Sequence, residues 1–270
     1  MNPGRPVGGE QAGGREAEER LIAGLAEALV PALAAPLGEG AFRAARMGAV
    51  AVLPAVLTLR DLREGALGPW NGMIHRRCEW RPAETTAGAG SASTSPVIDR
   101  RRRAGWDLLR ARCRVAAQGR DWLVTHDLAQ RTGRSLRPAE PAELAEPAEL
   151  SDAAARAVGP ASDLVLRVTA SQIAAWARGS GDGNEIHLRP GAPRAAGLDA
   201  GPEDVVAHGL MLGALSFAVT GGGQGGGLFR FPAPATIPAG FQRDERGSSL
   251  TVERLSGTML MRGTSVLERR

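Results

Sequence analysis

Apolar residues recur one helical turn apart in the stretch from Glu16 to Leu37, at Leu21, Leu25, Leu29 and Leu33. That spacing predicts a peripheral packing helix which kinks or ends near Val30, because Pro31 follows. Residues before it are Gly-rich and polar. Met47 to Arg63 begins apolar, with β-branched patches and Pro54, and then turns polar; the apolar part is too short to span a membrane. Period-two alternation takes over afterwards. Asn71 to Pro82 predicts a strand entered by an Asn71-Gly72 turn, and Ala83 to Ser95 a small-residue loop. Asp107 to Arg114 and Trp122 to Arg131 predict two strands of a hairpin closed around Gly119. The first half is therefore strand-rich, and its helix is hard to place.

The repeat Arg137 to Leu150, rich in Pro, Ala and Glu, interrupts both patterns and suits an exposed acidic linker. It suggests a tail and helix at 1–40, a first module at 41–136, a linker at 137–160 and a second module at 161–270. In the second module Asp163 to Thr169 alternates as a strand, and Ser171 can cap a short helix from Gln172 to Arg178. Gly209 to Thr220 has the length and apolarity of a buried helix, ended by a run of glycines at 221–227. Strand-like segments follow at 228–231, 241–243, 249–254 and 258–267, the last two around a turn at Gly257.

Composition changes this picture little. All 33 basic residues are Arg, there is no Tyr, and the net charge is only +4. The pI near 10.5 thus reflects how little titrates between Cys and Arg, and does not point to nucleic acid. No aromatic-interleaved basic motif is present either. The two cysteines, Cys78 and Cys113, stand far apart with no metal-ligand spacing, as expected in a reducing cytoplasm. Acidic Glu16, Glu18 and Glu19 precede the first apolar run, where a secretory signal needs positive charge.

Chemistry-bearing residues concentrate between Ala174 and Phe217. Asp182, Asn184 and His187 fall within six positions, and His208-Gly209 opens the apolar helix. A carboxylate and an imidazole held side by side can share a water and move its proton; the same residues could also be an ordinary polar turn. A glycine at a helix start lets a substrate carbonyl approach backbone N–H groups that have no intrahelical partner. Arg100 to Arg103 is a positive patch able to meet phosphates, or else a solvated Arg-rich loop. His75 and His126 have no partner at ligand spacing and read as surface or packing histidines.

Together, W-A-R-G-S-G-D-G-N-E-I-H (176–187) and V-V-A-H-G-L-M (205–211) resemble the signature of MaoC-like dehydratases, which include the (R)-specific enoyl-CoA hydratases. The resemblance covers about 50 residues in two blocks of matching order. It implies an α+β fold, the hotdog, in which an antiparallel sheet wraps a long helix, here Gly209 to Thr220. The whole chain is similar to the tandem, double-hotdog type, whose N-terminal hotdog is degenerate and has lost its long helix and motif. By resemblance, Asp182 and His187 are catalytic, and Gly209, Asn184 and His208 bind substrate. The Gly209 N–H would polarise the thioester carbonyl. The implied reaction interconverts (3R)-hydroxyacyl and trans-2-enoyl thioesters of CoA or acyl carrier protein, with no metal and no cofactor. The implied protein is cytoplasmic, a pseudo-dimeric monomer or a homodimer, with no nucleic-acid partner and no membrane span. The alternative is a non-catalytic acyl-thioester-binding or accessory subunit on the same fold. Two departures stand out: Glu185 where the family has Pro, and Arg189 where it commonly has Asp.

Overall fold

The structure, a computed structural model, describes residues 8–67, 70–84, 95–132, 164–221, 225–231, 233–238, 248–255 and 258–262. The expected linker at 137–160, the strand at 241–243 and the Gly257 turn lie outside the described residues.

Helix α1 (Gly8–Leu37) continues past Val30 with Pro31 and Pro36 inside it. Leu25, Leu29 and Leu33 are fully buried, so this helix belongs to the core and not to the periphery. A single 3-10 turn (Gly38–Gly40) leads into helix α2 (Ala41–Asp61), and Arg46 of α2 pairs with Glu19 of α1 at 2.7 Å. The stretch from Gly13 to Ala66 is long and apolar enough to cross a membrane by length and composition alone. On α2 the apolar side, including Ala45, Ala49, Val52 and Leu53, is packed into the protein core.

The 21-residue α2 corrects the expectation that the N-terminal half has lost its long helix. Pro54, inside the helix, disguised it. Pro54 has no N–H for the carbonyl four residues back, and that carbonyl, Val50 O, instead accepts the Gln118 side-chain amide at 2.6 Å. Gly48 marks a close approach: a Cβ there would stand 2.2 Å from the Ala214 carbonyl oxygen.

Strands β1 (Ile74–Pro82), β2 (Val97–Arg103), β3 (Trp106–Ala117) and β4 (Arg120–Arg131) form an antiparallel sheet with the α2 helix packed against it. The β3–β4 turn places Gln118 and Gly119 at φ 55° and 74°, the left-handed pair of a tight hairpin. Arg100 to Arg103 lie on β2, not in a loop. They are an exposed outer edge, where charge discourages pairing with another sheet.

The remaining chain supplies β5 (Leu164–Val168), α3 (Ala170–Ser180), two one-turn helices, α4 (Glu185–Leu188) and α5 (Ala192–Ala195), then β6 (Asp204–Val206) and α6 (Gly209–Thr220). After these come β7 (Gly227–Arg230), β8 (Thr236–Pro238), β9 (Ser248–Leu255) and β10 (Thr258–Arg262). Thr169, not Ser171, caps α3, in a reciprocal capping box with Gln172. Helix α6 is buried from Leu210 to Ala218 and packs on α2, so apolar residues all round it are covered. Strand β9 pairs with β5 and β10, and β6 pairs with β8.

Strand β7 joins the two halves. It leaves α6 and pairs with β1, completing a five-stranded antiparallel sheet in the order β2-β3-β4-β1-β7. A long helix against a five-stranded antiparallel sheet is the hotdog-like α+β arrangement. The seam at β1 brings the loop after α3 beside residues 70–75 of the first half.

Candidate active site

The capping box starts α3, and a left-handed Gly181 (φ 71°) ends it, which turns the chain so that Asp182 follows as a buried loop residue. Its Oδ1 accepts two hydrogen bonds, from the Trp70 indole N–H (2.9 Å) and from the Asn184 backbone N–H (3.1 Å). Oδ2 is left facing His187 Nε2 at 3.9 Å and His208 Nε2 at 3.7 Å. The carboxylate is thus oriented by an indole from the other half of the chain.

His187 sits on α4, and its Nδ1–H donates to the Val206 carbonyl at 2.7 Å. A backbone oxygen can only accept, so in the neutral ring the free lone pair is on Nε2, on the Asp182 side. The two groups are too far apart for a direct hydrogen bond and at a spacing that one water can bridge. The His208 ring stacks on His187, centroids 3.6 Å apart and planes 23° apart, and both its nitrogens are buried without a hydrogen-bond partner.

Asp182, His187 and His208 also have the donor set of a two-His, one-carboxylate metal centre. The stacking argues against it. Rings lying face to face hold their in-plane lone pairs nearly parallel, whereas two ligands of one ion must converge on it.

Gly209 begins α6. The first intrahelical bond runs from Leu212 N–H to His208 O (3.1 Å), so the N–H groups of Gly209, Leu210 and Met211 precede it at the positive end of the helix. A Cβ on Gly209 would lie 2.7 Å from the Phe231 ring, so only glycine fits there without displacing that ring. Asp182, His187, His208 and Gly209 all line one cavity of about 610 Å³. Its apolar walls come from both halves and include Val56, Leu59, Leu128, Trp176, Leu212 and Phe231, with Arg60, Arg63, Arg76 and Arg103 also on its lining.

Asn184, expected to bind substrate, lines the same cavity, and its amide is engaged by backbone. Its Nδ2 donates to Met73 O (2.8 Å), and its Oδ1 accepts from Gly72 N–H (3.0 Å) and Ile186 N–H (3.4 Å). Both ends of the amide are taken by backbone, so the side chain ties the Asp182 loop to the first half and caps α4. The departures at Glu185 and Arg189 are accounted for together: the two side chains pair with each other at 3.3 Å, largely exposed.

Reading the chain residue by residue missed a second group. His75 and His126 are not isolated: His126 Nδ1 lies 3.1 Å from His75 Nε2 and 3.5 Å from Cys78 Sγ. His75 lines the same cavity. One signal was present, because the chain has only four histidines and all four gather at or just behind this cavity. Their separation in sequence concealed it.

Burial holds these rings neutral. It pushes His75 down to about 4 against the pull of Asp182, and it lowers His187, again opposed by Asp182. Burial and the neighbouring His187 push His208 well below its ordinary value, as burial and His75 do for His126. The unfolded chain binds these protons more tightly, so the stability they contribute is complete above about pH 6.5 and is lost as pH falls through the folded values. For His75 that window runs from 6.5 to about 4, and each such ring costs about 1.4 kcal/mol per pH unit within it. Thermal melts in chelating buffer should therefore show Tm dropping steeply from pH 6.5 towards 4. A flat Tm there would contradict the buried neutral rings.

No protein-family model matches the chain, and no curated protein does. Solved structures do. A MaoC-like dehydratase is 18% identical, with 91% of each chain covered and a TM-score of 0.46. The full-length peroxisomal multifunctional enzyme type 2 from Drosophila melanogaster is 16% identical with a TM-score of 0.50; 91% of this chain matches and spans 46% of that one. A MaoC-like dehydratase from Phytophthora capsici is 17% identical, over 76% of this chain and 74% of that one, at a TM-score of 0.38. The likeness is one of fold.

Proposed function

We propose that the chain is an acyl-thioester hydratase/dehydratase, interconverting trans-2-enoyl and (3R)-hydroxyacyl thioesters of CoA or acyl carrier protein. The observation that carries this reading is the convergence of Asp182 Oδ2, His187 Nε2 and the N-terminus of α6 on one largely apolar cavity. In hydration, a water between Asp182 and His187 gives a proton to the pair as its oxygen bonds to C3 of the enoyl group. The C2=C3 electrons move onto the thioester carbonyl, and the Gly209 N–H donates to the resulting enolate oxygen. The pair then returns the proton to C2, so one water is consumed and nothing is oxidised. Trp70 holds the unused carboxylate oxygen, and His208 floors the His187 ring. The apolar walls take the acyl chain.

The reading extends to architecture. The α2 helix with β1–β4 forms one hotdog, and α6 with the later strands forms a second. On this reading their seam imitates a hotdog dimer within one chain. Free, buried Cys78 and Cys113 suit a reducing cytoplasm.

The test is hydration of trans-2-enoyl-CoA substrates of several chain lengths, starting with crotonyl-CoA and followed as loss of enoyl absorbance. Turnover giving the (3R) product is expected. Tight binding of these thioesters with no turnover at any length would replace the enzyme reading with that of a non-catalytic accessory subunit.

A further inference from the structure

His75, Cys78 and His126 come from two paired strands, Cys78 of β1 directly opposite His126 of β4. Their Nε2, Sγ and Nδ1 atoms all lie within 4.8 Å of one another. His126 is completely buried, and its protonation pattern is set from behind. The Thr58 hydroxyl donates to the Pro54 carbonyl (3.0 Å), so Thr58 Oγ1 accepts from His126 Nε2–H at 2.8 Å. That leaves a single lone pair on His126 Nδ1, facing both His75 Nε2 and Cys78 Sγ. Hydrogen bonding needs only one of those two neighbours, so three soft or borderline donors meet where two would suffice.

From this geometry we infer that His75, Cys78 and His126 form a binding site for a zinc-class divalent cation, separate from Asp182 and His187. A tetrahedral ion with Zn–N near 2.05 Å and Zn–S near 2.3 Å sets its nitrogens about 3.3 Å apart and nitrogen from sulfur about 3.6 Å. From His126 Nδ1 the separations are 3.1 Å to His75 Nε2 and 3.5 Å to Cys78 Sγ, and the third pair of donors lies within 4.8 Å. Unlike His187 and His208, these rings do not stack: their centroids are 5.1 Å apart and their planes 47° apart, while their nitrogens meet edge to edge. The Thr58 hydroxyl orients His126 as an outer partner orients a ligating imidazole.

The surrounding charge is suitable. Asp182 and Asp127 favour positive charge at His75, and Asp127 and Glu79 disfavour negative charge at Cys78, with Arg77 opposing them. Cation binding displaces the Cys78 thiol proton to solvent, which leaves a thiolate ligand and a net charge of about +1 on the ion and its three ligands. His75 lines the cavity, so this donor is reachable from the cavity side. Sequence spacing gave no hint of such a site, because metal motifs place ligands close along the chain, whereas here pairing of β1 with β4 does so.

The probe is Co²⁺ added to the full-length, chelator-treated protein and followed by visible and near-ultraviolet absorption. One equivalent should produce tetrahedral ligand-field bands and a thiolate-to-cobalt charge-transfer band, and Zn²⁺ should abolish both. Cys78→Ser should remove the charge-transfer band. His75→Asn, at the cavity side and less exposed to any folding penalty, should weaken cobalt binding at least tenfold. Cys113→Ser should leave the spectrum unchanged. No stoichiometric thiolate band in the wild-type protein overturns the site, as does a band that survives Cys78→Ser or vanishes with Cys113→Ser. None of these readings depends on turnover, so failure here and failure of the hydratase reading are distinguishable.

Discussion

Asp182→Asn and His187→Ala are each expected to lower kcat for enoyl-thioester hydration by about a thousandfold, within the range of a lost general acid–base group. Asn at 182 can still accept from Trp70 Nε1–H and Asn184 N–H through its carbonyl oxygen, so the loop and the fold should survive while the proton acceptor facing His187 is lost. Because the two groups act on one water, the double variant should be only slightly worse than either single one. Trp70→Phe tests the support. It keeps an aromatic wall but removes the bond to Oδ1, and should lower kcat by about tenfold with KM little changed, since only orientation of the carboxylate is disturbed. Steady-state kinetics with a thermal melt for each variant decides the matter. Activity near wild type in both single variants, with folding intact, would remove Asp182 and His187 from the mechanism.

The second large effect concerns stability. Gly48→Ala should destabilise the protein by about 2 kcal/mol or more, as overpacking against a fixed neighbour typically does. The contact is with backbone: the new Cβ would stand 2.2 Å from the Ala214 carbonyl oxygen and 3.2 Å from the Ala218 Cβ. Helices α2 and α6 would have to separate along the crossing where their buried faces meet, loosening the cavity wall at Val56 and Leu212 as well. Helix propensity alone predicts the opposite, a gain of about 1 kcal/mol for Gly to Ala in a helix. The sign of the change therefore decides between them. A fall in Tm of roughly 4–8 °C is expected for a chain of this size, and a Tm that rises would show that the helices are not in contact at Gly48.

Much of this protein could be read from its residues in order. Alternation marked β1, β3, β4 and β5, and uniform apolarity marked α6, because both patterns depend on which faces are buried and burial follows from local period. The motif around Asp182 and His187 was equally legible, since α3, its cap and α4 bring those residues together over a few positions. Other features were illegible for identifiable reasons. Helix α2 was masked because its Pro54 answers to a partner 64 positions away, at Gln118, and not to its neighbours. The edge strand β2 was masked because, after Val97 and Ile98, it runs on as charged residues on both faces.

What the sequence determined alone is the local chemistry: which groups can move a proton, which helix start can polarise a carbonyl, and that the chain is a mixed α and β fold. The tertiary structure decided which of those groups face one another. It aimed Asp182 with an indole from residue 70, committed both ends of the Asn184 amide to backbone, and joined β7 to β1 so that one cavity is walled by both halves. It also brought His75, Cys78 and His126 to one point through strand pairing. Contacts between residues far apart in the chain depend on how sheets register and helices cross, and no local pattern of side chains encodes that.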